Sequence, residues 1–302
     1  MRKISKVAAI DCGTNSIRLL ISDNGREILR EIEIVKLGEG VDTTQNFSAT
    51  AVERTLTALR HFKTIIDKEG VKSLRFCATS ATRDAQNREI FINPVRELLG
   101  VIPEVIAGEE EARLSFLGAT SDRAESEAPF LVVDIGGGST EFVYGGSKVE
   151  SSKSVNIGCV RMTERHFHSD PPTIEEIASA REDINRATDV ASLTVPITKA
   201  KTLIAVAGTA TTVAAAALNL PTYQREVIHG SQISATDTFR ISEWLLTLPR
   251  SERAQLGYMH PGRVDVIAAG SLVLAEIMKR TGAKEFIASE RDILDGIVAT
   301  IK

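Results

Sequence analysis

Residues 134–142 read DIGGGSTEF and directly follow the apolar run FLVV at 130–133. An acid, three glycines and two hydroxyl side chains therefore come straight after a stretch that is typical of a buried strand. Glycines let the backbone approach a ligand closely and turn its N–H groups toward phosphate oxygens. A tight hairpin is the simpler interpretation of the same glycines. The rest of the chain distinguishes these two interpretations.

The beginning of the chain repeats this pattern. VAAID (7–11) and SIRLLIS (16–22) predict two short strands joined by a turn of small residues. Three positions of the two segments align in register: Asp11 with Asp134, Gly13 with Gly136, and Ser16 with Ser139. We interpret the two halves of the chain as duplicated units.

A third segment, AVAGTATT (205–212), also leads from an apolar strand into small and hydroxyl residues. A helix that starts at Thr209 or Ala210 would add its unpaired N–H groups and partial positive charge. One such segment alone is more typical of a turn, but three in one chain favour a phosphate site. The predicted phosphate-binding residues are Gly13, Asn15, Ser16, Gly136, Gly137, Gly138, Ser139, Gly208 and Thr209.

Strands and helices alternate along the chain, so the predicted fold class is α/β. The polar segment TSDRAESEAP (120–129) is the best linker, and we place the domain boundary there, giving domains 1–124 and 125–302. We leave open whether the last helix packs back on the first domain. Further strands are predicted at 28–37, 73–79, 101–108 and 202–208, and helices from Ser48 to Glu69, up to Gly100, from Thr173 to Leu193, and beyond Leu218 to the end.

The composition argues against several classes of protein. The 302 residues are 43% apolar with a formal net charge of −4, so there is no general basic field to bind nucleic acid. The three cysteines form no CxxC pair, the start MRKISKVAAID has too short an apolar run for a signal peptide, and no stretch approaches a membrane span. We expect a cytoplasmic protein that binds neither nucleic acid nor membrane.

Several motifs resemble known families. IDCGTNSIRLL, DIGGGSTEF and AGTATT resemble the phosphate loops of the actin-like and sugar-kinase ATPase superfamily. CATSATRDAQN (77–87), GEEEARLSFLG (108–118) and HPGRVDVIAAG (260–270) are similar to the exopolyphosphatase and guanosine pentaphosphate phosphohydrolase (Ppx/GppA) family, in its short two-domain form.

The resemblance to the Ppx/GppA family covers almost the whole chain. It implies two ribonuclease-H-like domains with the site in the cleft between them, and a homodimer. It also implies an enzyme, a phosphoanhydride hydrolase that releases terminal phosphate from inorganic polyphosphate or from guanosine pentaphosphate (pppGpp).

Such hydrolysis needs a positioned water, a base for its proton, and cations near the transferred group. GEEEAR offers Glu109, Glu110 and Glu111 at a helix start, and helical periodicity does not choose among them. The resemblance selects Glu111 as the base. Acids in a first turn also complement the helix dipole, which is our interpretation of Glu109.

Carboxylates flank the glycine run at Asp134 and Glu141. Mg²⁺ (or Mn²⁺) prefers a few carboxylates together with water and substrate oxygens, so we assign both residues to a metal. The alternative for Glu141 is a surface-facing strand residue. Asp11 is a weaker third candidate that either helps to hold the ion or braces its turn.

Three arginines are candidates for binding the substrate. Arg83 in SATR suits a bridging or terminal phosphate, with a surface ion pair to Asp84 as the alternative. Arg18 either binds substrate or belongs to the polar face of its strand. Arg263 in HPGR is expected to reach the substrate from the second domain.

The chain stops where longer members of the family carry further helical domains, so we expect a preference for short polyphosphates. The rival functions are a sugar kinase, a non-catalytic phosphate sensor and an ATPase that drives a motion. The compact first domain leaves little sequence for a sugar pocket, and GEEEAR argues against a sensor.

Overall fold

The computed structural model describes residues 6–301, so residues 1–5 of the N-terminal segment and residue 302 lie outside the described residues. The described residues divide into two compact units: unit 1 comprises residues 6–118 and 293–301, and unit 2 comprises residues 119–292. The first segment of unit 1 thus ends at Gly118, whereas the sequence led us to expect 124. The segment from residue 293 to residue 301, which contains the last helix, belongs to unit 1.

Unit 1 is built on a five-stranded sheet in the order β3-β2-β1-β4-β5. Strand β1 is antiparallel to β2 and parallel to β4. The elements of this unit before the linker are β1 (Val7–Cys12), β2 (Ser16–Asp23), β3 (Arg26–Ile34), α1 (Val41–Thr44), α2 (Ala49–Glu69), β4 (Ser73–Ala78), α3 (Ser80–Asp84), α4 (Glu89–Leu99), β5 (Glu104–Val105) and α5 (Gly108–Ala119).

Unit 2 is built on a six-stranded sheet. Its elements are β6 (Phe130–Ile135), β7 (Thr140–Gly145), β8 (Val149–Val155), α6 (Cys159–His166), α7 (Ile174–Ser192), β9 (Thr202–Val206), α8 (Ala207–Ala217), α9 (Arg225–Ile228), β10 (Gln232–Ser234), α10 (Ala235–Thr247), α11 (Arg250–Arg253), α12 (Ile267–Thr281) and β11 (Glu285–Ala288). Helix α13 (Ile293–Thr300) follows and belongs to unit 1.

The two sheets share one strand order. In unit 2 the order is β8-β7-β6-β9-β11-β10, which matches unit 1 strand for strand with β10 added at the edge. Strand β6 is antiparallel to β7 and parallel to β9, as β1 is to β2 and β4. The predicted α/β fold with two duplicated ribonuclease-H-like units is confirmed.

Local signals and burial explain most of these elements. The Ser48 side chain accepts a hydrogen bond from the Ala51 N–H (3.1 Å) at the start of α2, and Gly70 ends that helix with a φ of 65°. Strand β6 is buried at every position. Helix α12 is also buried over most of its length and packs against α6, α7, α8 and α10. It therefore forms the centre of the core of unit 2.

Some predicted boundaries were wrong. Strand β3 ends at Ile34, before a turn in which Lys36 has a φ of 48°. The strand predicted at 101–108 is only Glu104–Val105, because Pro103 lacks an N–H for the ladder. The SATR segment is the short helix α3.

The later part of the chain also differs from the prediction. Strand β9 ends at Val206, and α8 begins at Ala207, before the predicted start at Thr209 or Ala210. The region after Leu218 was expected to be helical, but it contains β10 and β11. Strand β11 is short, mostly apolar and paired with β9. A short apolar run shows no hydrophobic periodicity that would distinguish a buried strand from a buried helix. In residues 6–301 no helix has the length and apolar character needed to cross a bilayer.

The packing of α13 in unit 1 generates a prediction. A Cβ at Gly296 would collide with the backbone carbonyl of Leu114 in α5. We expect Gly296→Ala to lower the free energy of unfolding by about 2 kcal/mol, as overpacking does. Urea unfolding would measure this. Ala299→Ser, at an exposed position of the same helix, serves as the control and should change stability by less than about 0.5 kcal/mol. Equal stability of the two variants would contradict this packing.

Candidate active site

Two equivalent loops follow the first strand of each unit. Loop 1 (residues 13–15) joins β1 to β2, and loop 2 (residues 136–139) joins β6 to β7. The same hydrogen bond closes both loops: Gly13 N–H donates to the Ser16 carbonyl (2.9 Å) and Gly136 N–H to the Ser139 carbonyl (3.0 Å). The alignment proposed from the sequence, Gly13 with Gly136 and Ser16 with Ser139, therefore also holds in the structure.

The three glycine carbonyls of loop 2 all accept hydrogen bonds from the start of α6. The donors are the N–H of Cys159 to Gly136 (2.9 Å), the N–H groups of Val160 (2.9 Å) and Arg161 (3.1 Å) to Gly137, and Arg161 Nε to Gly138 (2.7 Å). In a trans peptide the next N–H points opposite to the C=O. The N–H groups of Gly137, Gly138 and Ser139 therefore point away from α6.

These three N–H groups are available to a ligand. Within the described part of the chain, no hydrogen-bond acceptor is found for the N–H of Gly137, Gly138 or Ser139. Consecutive N–H groups on one side of a loop form an anion-binding nest. Loop 2 thus has the geometry of an anion-binding nest. A glycine run that only made a hairpin turn would not need this geometry.

Gly158 and Arg161 support loop 2, and neither residue was predicted from the sequence. A Cβ at Gly158 would collide with the carbonyl of Gly137, so only glycine allows this close approach. Arg161 is buried with its guanidinium on the Gly138 carbonyl. The only sequence signal was that Gly158 is a glycine soon after the strand β8. Its role can be inferred only when loop 2 is known to lie against it.

Loop 1 is held in a similar way. The carbonyl of Asn15 accepts hydrogen bonds from the N–H groups of Val35 (3.1 Å) and Lys36 (2.9 Å), and that of Thr14 accepts from Gly38 N–H (2.9 Å). A Cβ at Gly38 would collide with the Thr14 side chain. In both units an adjoining segment occupies the loop carbonyls and fixes the direction of the backbone.

Two carboxylates lie side by side in unit 2. Asp134 in β6 and Glu141 in β7 are directly opposite each other, and both are buried, at 6% and 1% exposure. Glu141 is therefore not a surface-facing residue. Its Oε1 accepts a hydrogen bond from Ser154 Oγ (2.6 Å) in β8. The Asp134–Glu141 pair precedes loop 2 by one residue pair of the ladder, Ile135 with Thr140.

The equivalent pair in unit 1 has opposite charges. Asp11 is directly opposite Arg18, and Arg18 donates to Asp11 Oδ2 from Nε (3.0 Å) and Nη2 (2.6 Å). Arg18 thus takes the strand position that Glu141 has in unit 2. Because a buried charge needs a compensating partner, this ion pair favours a bracing role for Asp11.

The three consecutive glutamates of α5 have different environments. Glu110 pairs with Arg113 (2.7 Å) and Arg75 (3.3 Å), and these contacts, the Arg113 hydrogen bond first, lower the pKa of Glu110. Glu109 is exposed. Glu111 is 8% exposed and accepts a hydrogen bond from Arg83 Nη1 at Oε2 (3.1 Å).

The two residues predicted to be catalytic therefore meet in unit 1. Arg83 donates from the same Nη1 to the Ile106 carbonyl (2.8 Å), which fixes its guanidinium beside Glu111. Burial and the contact with Arg83 together set Glu111 apart from its two neighbours, which the periodicity of the helix did not.

The third predicted phosphate segment forms the first turn of α8. Arg263 Nη1 donates to the Gly208 carbonyl (3.3 Å) and to Thr212 Oγ1 (3.2 Å), and its Cζ lies 5.9 Å from the ring centre of Tyr223. A Cβ at Gly208 would lie 2.5 Å from Arg263 Cζ, so the glycine allows the guanidinium to lie on the backbone. Thr209 is buried in the same turn.

The predicted residues thus come together in pairs within each unit. The pairs are Asp11 with Arg18, Glu111 with Arg83, Asp134 with Glu141, and Gly208 with Arg263. Among residues 6–301 no group of three or more His, Cys, Asp or Glu side chains is placed to hold a metal ion. A pair of carboxylates is nevertheless the donor set that suits Mg²⁺, which keeps water and substrate oxygens in its shell. Asp134 and Glu141 fit such an ion.

Comparison with known proteins identifies the family. Residues 21–301 match the model of the Ppx/GppA phosphatase family. Exopolyphosphatase 2 from Mycobacterium tuberculosis is 44% identical over 315 aligned positions that cover 99% of each chain.

Two solved structures are similar over 98% of this chain. One is an exopolyphosphatase-like protein (44% identity, TM-score 0.96, 98% of that chain covered), and the other is the Ppx/GppA enzyme of Aquifex aeolicus (31% identity, TM-score 0.80, 99% covered). The chain belongs to the Ppx/GppA phosphatase family, as its motifs predicted. The prediction that it is an enzyme, a phosphoanhydride hydrolase, is confirmed.

The support of loop 2 by α6 generates a prediction. We expect Gly158→Ala to weaken the binding of tripolyphosphate by about ten-fold or more. The new Cβ would displace loop 2, and the loop N–H groups would then lose hydrogen bonds to the charged ligand. Calorimetric titration without divalent ions would measure the affinity. Gly146→Ala, where a Cβ would meet nothing nearer than 3.9 Å, is the matched control. Unchanged affinity in a folded Gly158→Ala protein would contradict the role of loop 2.

Proposed function

We propose that this chain is an exopolyphosphatase that removes terminal phosphate from inorganic polyphosphate. The observation that carries the proposal is the set of outward N–H groups in loop 2 beside the Asp134–Glu141 pair. The name of the M. tuberculosis relative, which is 44% identical over nearly the full length of both chains, supports the same activity.

Loop 2 is proposed to bind the terminal phosphate. Its three N–H groups would donate to phosphate oxygens without reorganising, because the α6 contacts already fix their direction. Loop 1 and the first turn of α8, with Arg18 and Arg263, are proposed as further contacts to the chain of phosphates. These contacts bind and orient the substrate.

Glu111 is proposed as the general base. Its carboxylate takes a proton from water as the water oxygen attacks the terminal phosphorus and the bridging P–O bond breaks. The products are orthophosphate and a polyphosphate shorter by one unit. Arg83, held beside Glu111 at 3.1 Å, is proposed to bind an oxygen of the transferred group.

Asp134 and Glu141 are the proposed ligands of Mg²⁺ (or Mn²⁺). When bound, such an ion neutralises negative charge on phosphate oxygens. The protein contributes two buried carboxylates, one of which is oriented by Ser154. Asp11 is proposed to hold Arg18 in position.

Other expectations stay predictions. They are a preference for short polyphosphate chains, guanosine pentaphosphate as an alternative substrate, and a homodimer. Phosphate release from graded polyphosphates, guanosine pentaphosphate and ATP, compared with Mg²⁺ present, distinguishes these substrates. Faster turnover on the longest polyphosphates would contradict the chain-length preference.

The proposed base generates a prediction. Glu111→Gln should lower kcat by about 10²- to 10⁴-fold, as loss of a general base does, and should leave the affinity for tripolyphosphate within about two-fold. Phosphate release and calorimetric titration measure the two quantities. Glu109→Gln, at the exposed neighbour in the same helical turn, is the control and should behave like the unaltered protein. Full activity of Glu111→Gln would show that another group takes the proton.

The proposed metal ligands generate a further prediction. Asp134→Asn and Glu141→Gln should each raise the Mg²⁺ concentration for half-maximal activity by about ten-fold or more, because each loses a charged oxygen ligand. Binding of Mn²⁺, followed by electron paramagnetic resonance, should weaken in parallel. Glu150→Gln removes an exposed acid from β8 and is expected to change neither quantity. An unaltered Mn²⁺ affinity in both site variants would contradict the assignment.

A further inference from the structure

A cavity of about 470 Å³ lies in unit 1 next to the Glu111–Arg83 pair. Arg83 and Ile106, which share the hydrogen bond that fixes Arg83, both line it. Helix α4 and the residue before it, Arg88, also contribute to the lining. Arg83 thus belongs both to the proposed catalytic pair and to the cavity, and the proposed mechanism uses no other side chain of the cavity lining.

The charged groups of the cavity are mostly arginines. Arg83, Arg88 and Arg96 line it together with a single acid, Glu89. Arg88 precedes α4 with helical backbone angles, and Arg88, Ile92 and Arg96 are spaced four residues apart, so they lie on the side that lines the cavity. The two outer arginines are about 12 Å apart along the helix, from its rise of about 1.5 Å per residue.

Arg88 and Arg96 have no protein partner. Within residues 6–301 neither side chain makes a hydrogen bond or an ion pair, and both are exposed. Other arginines of this unit are neutralised: Arg75 pairs with Glu104 (2.8 Å) and Arg113 with Glu110 (2.7 Å). Lone surface arginines are often only solvated, but these two line a concave site that opens beside the catalytic arginine.

We propose that this cavity binds non-terminal phosphates of the polyphosphate chain, the part that leaves after cleavage. The inference rests on the proposed function and specifies how the substrate is held. Guanidinium groups bind phosphate oxygens through paired N–H donors. Two such groups on the same side of a helix, about 12 Å apart, can hold successive parts of one polyanion. Arg88 and Arg96 are thus residues that determine chain-length specificity.

This role has a measurable consequence for chain length. Each added phosphate strengthens binding while it reaches a new arginine, and phosphates beyond the cavity add nothing. The apparent affinity should therefore rise from tripolyphosphate to somewhat longer chains and then become constant.

The test compares Arg88→Gln, Arg96→Gln and the double variant with Arg26→Gln. Arg26 is an exposed arginine of unit 1 outside the cavity lining, and its side chain has no partner among the described residues. Each cavity variant should raise KM for longer polyphosphates by about ten-fold, the effect of losing a hydrogen bond to a charged group. KM for tripolyphosphate, and kcat for either substrate, should stay within about two-fold. Arg26→Gln should match the unaltered protein.

Several outcomes would overturn the inference. The cavity variants could leave KM for longer polyphosphates unchanged, or could raise KM for tripolyphosphate just as much. Arg26→Gln could raise KM as much as the cavity variants do, or the cavity variants could raise KM only for guanosine pentaphosphate. Direct titration of the proteins with polyphosphates without divalent ions keeps the proposal separate from the activity. Tighter binding of longer chains that is lost in the double variant would support the cavity even if turnover failed, and absent turnover would then contradict only the proposed function.

Discussion

The hydrogen bonds between the carbonyls of loop 2 and the start of α6 are the interaction on which the site depends. Three consecutive glycines would otherwise sample many conformations, and ordering them on a ligand would cost binding free energy. The contacts from Cys159, Val160 and Arg161 fix the loop before any phosphate arrives. Helix α6 in turn packs against the buried helix α12, so the core of unit 2 supports the direction of the three N–H groups.

Duplication and divergence explain how the two units contribute different chemistry. Both keep an acid at the end of the first strand and the same closing hydrogen bond in the loop that follows. In unit 1 the residue opposite the acid is Arg18, which neutralises Asp11 within the protein. In unit 2 it is Glu141, which places two carboxylates together and favours a cation from solution. One change of charge at equivalent positions separates an ion pair within the protein from a proposed metal site.

Sequence patterns predicted the features that depend on neighbouring residues. The internal repeat, the strands around both loops and the helix caps at Ser48 and Gly70 all follow from local patterns, and the structure contains them. The features that depend on tertiary contacts could not be predicted. Periodicity did not separate Glu110 from Glu111, because the difference comes from the burial of Glu111 and from its contact with Arg83, which lies on another helix. Gly158 has its role only because loop 2 lies against it, and β11 is recognisable only from its pairing with β9.

If the loop 2 N–H groups hold a phosphate beside Asp134 and Glu141, a crystal structure of the Glu111→Gln variant with Mg²⁺ and tripolyphosphate should show the contact. We expect phosphate oxygens about 3 Å from the backbone nitrogens of Gly137, Gly138 and Ser139. A fully occupied tripolyphosphate that leaves these nitrogens in contact with water alone would contradict this expectation.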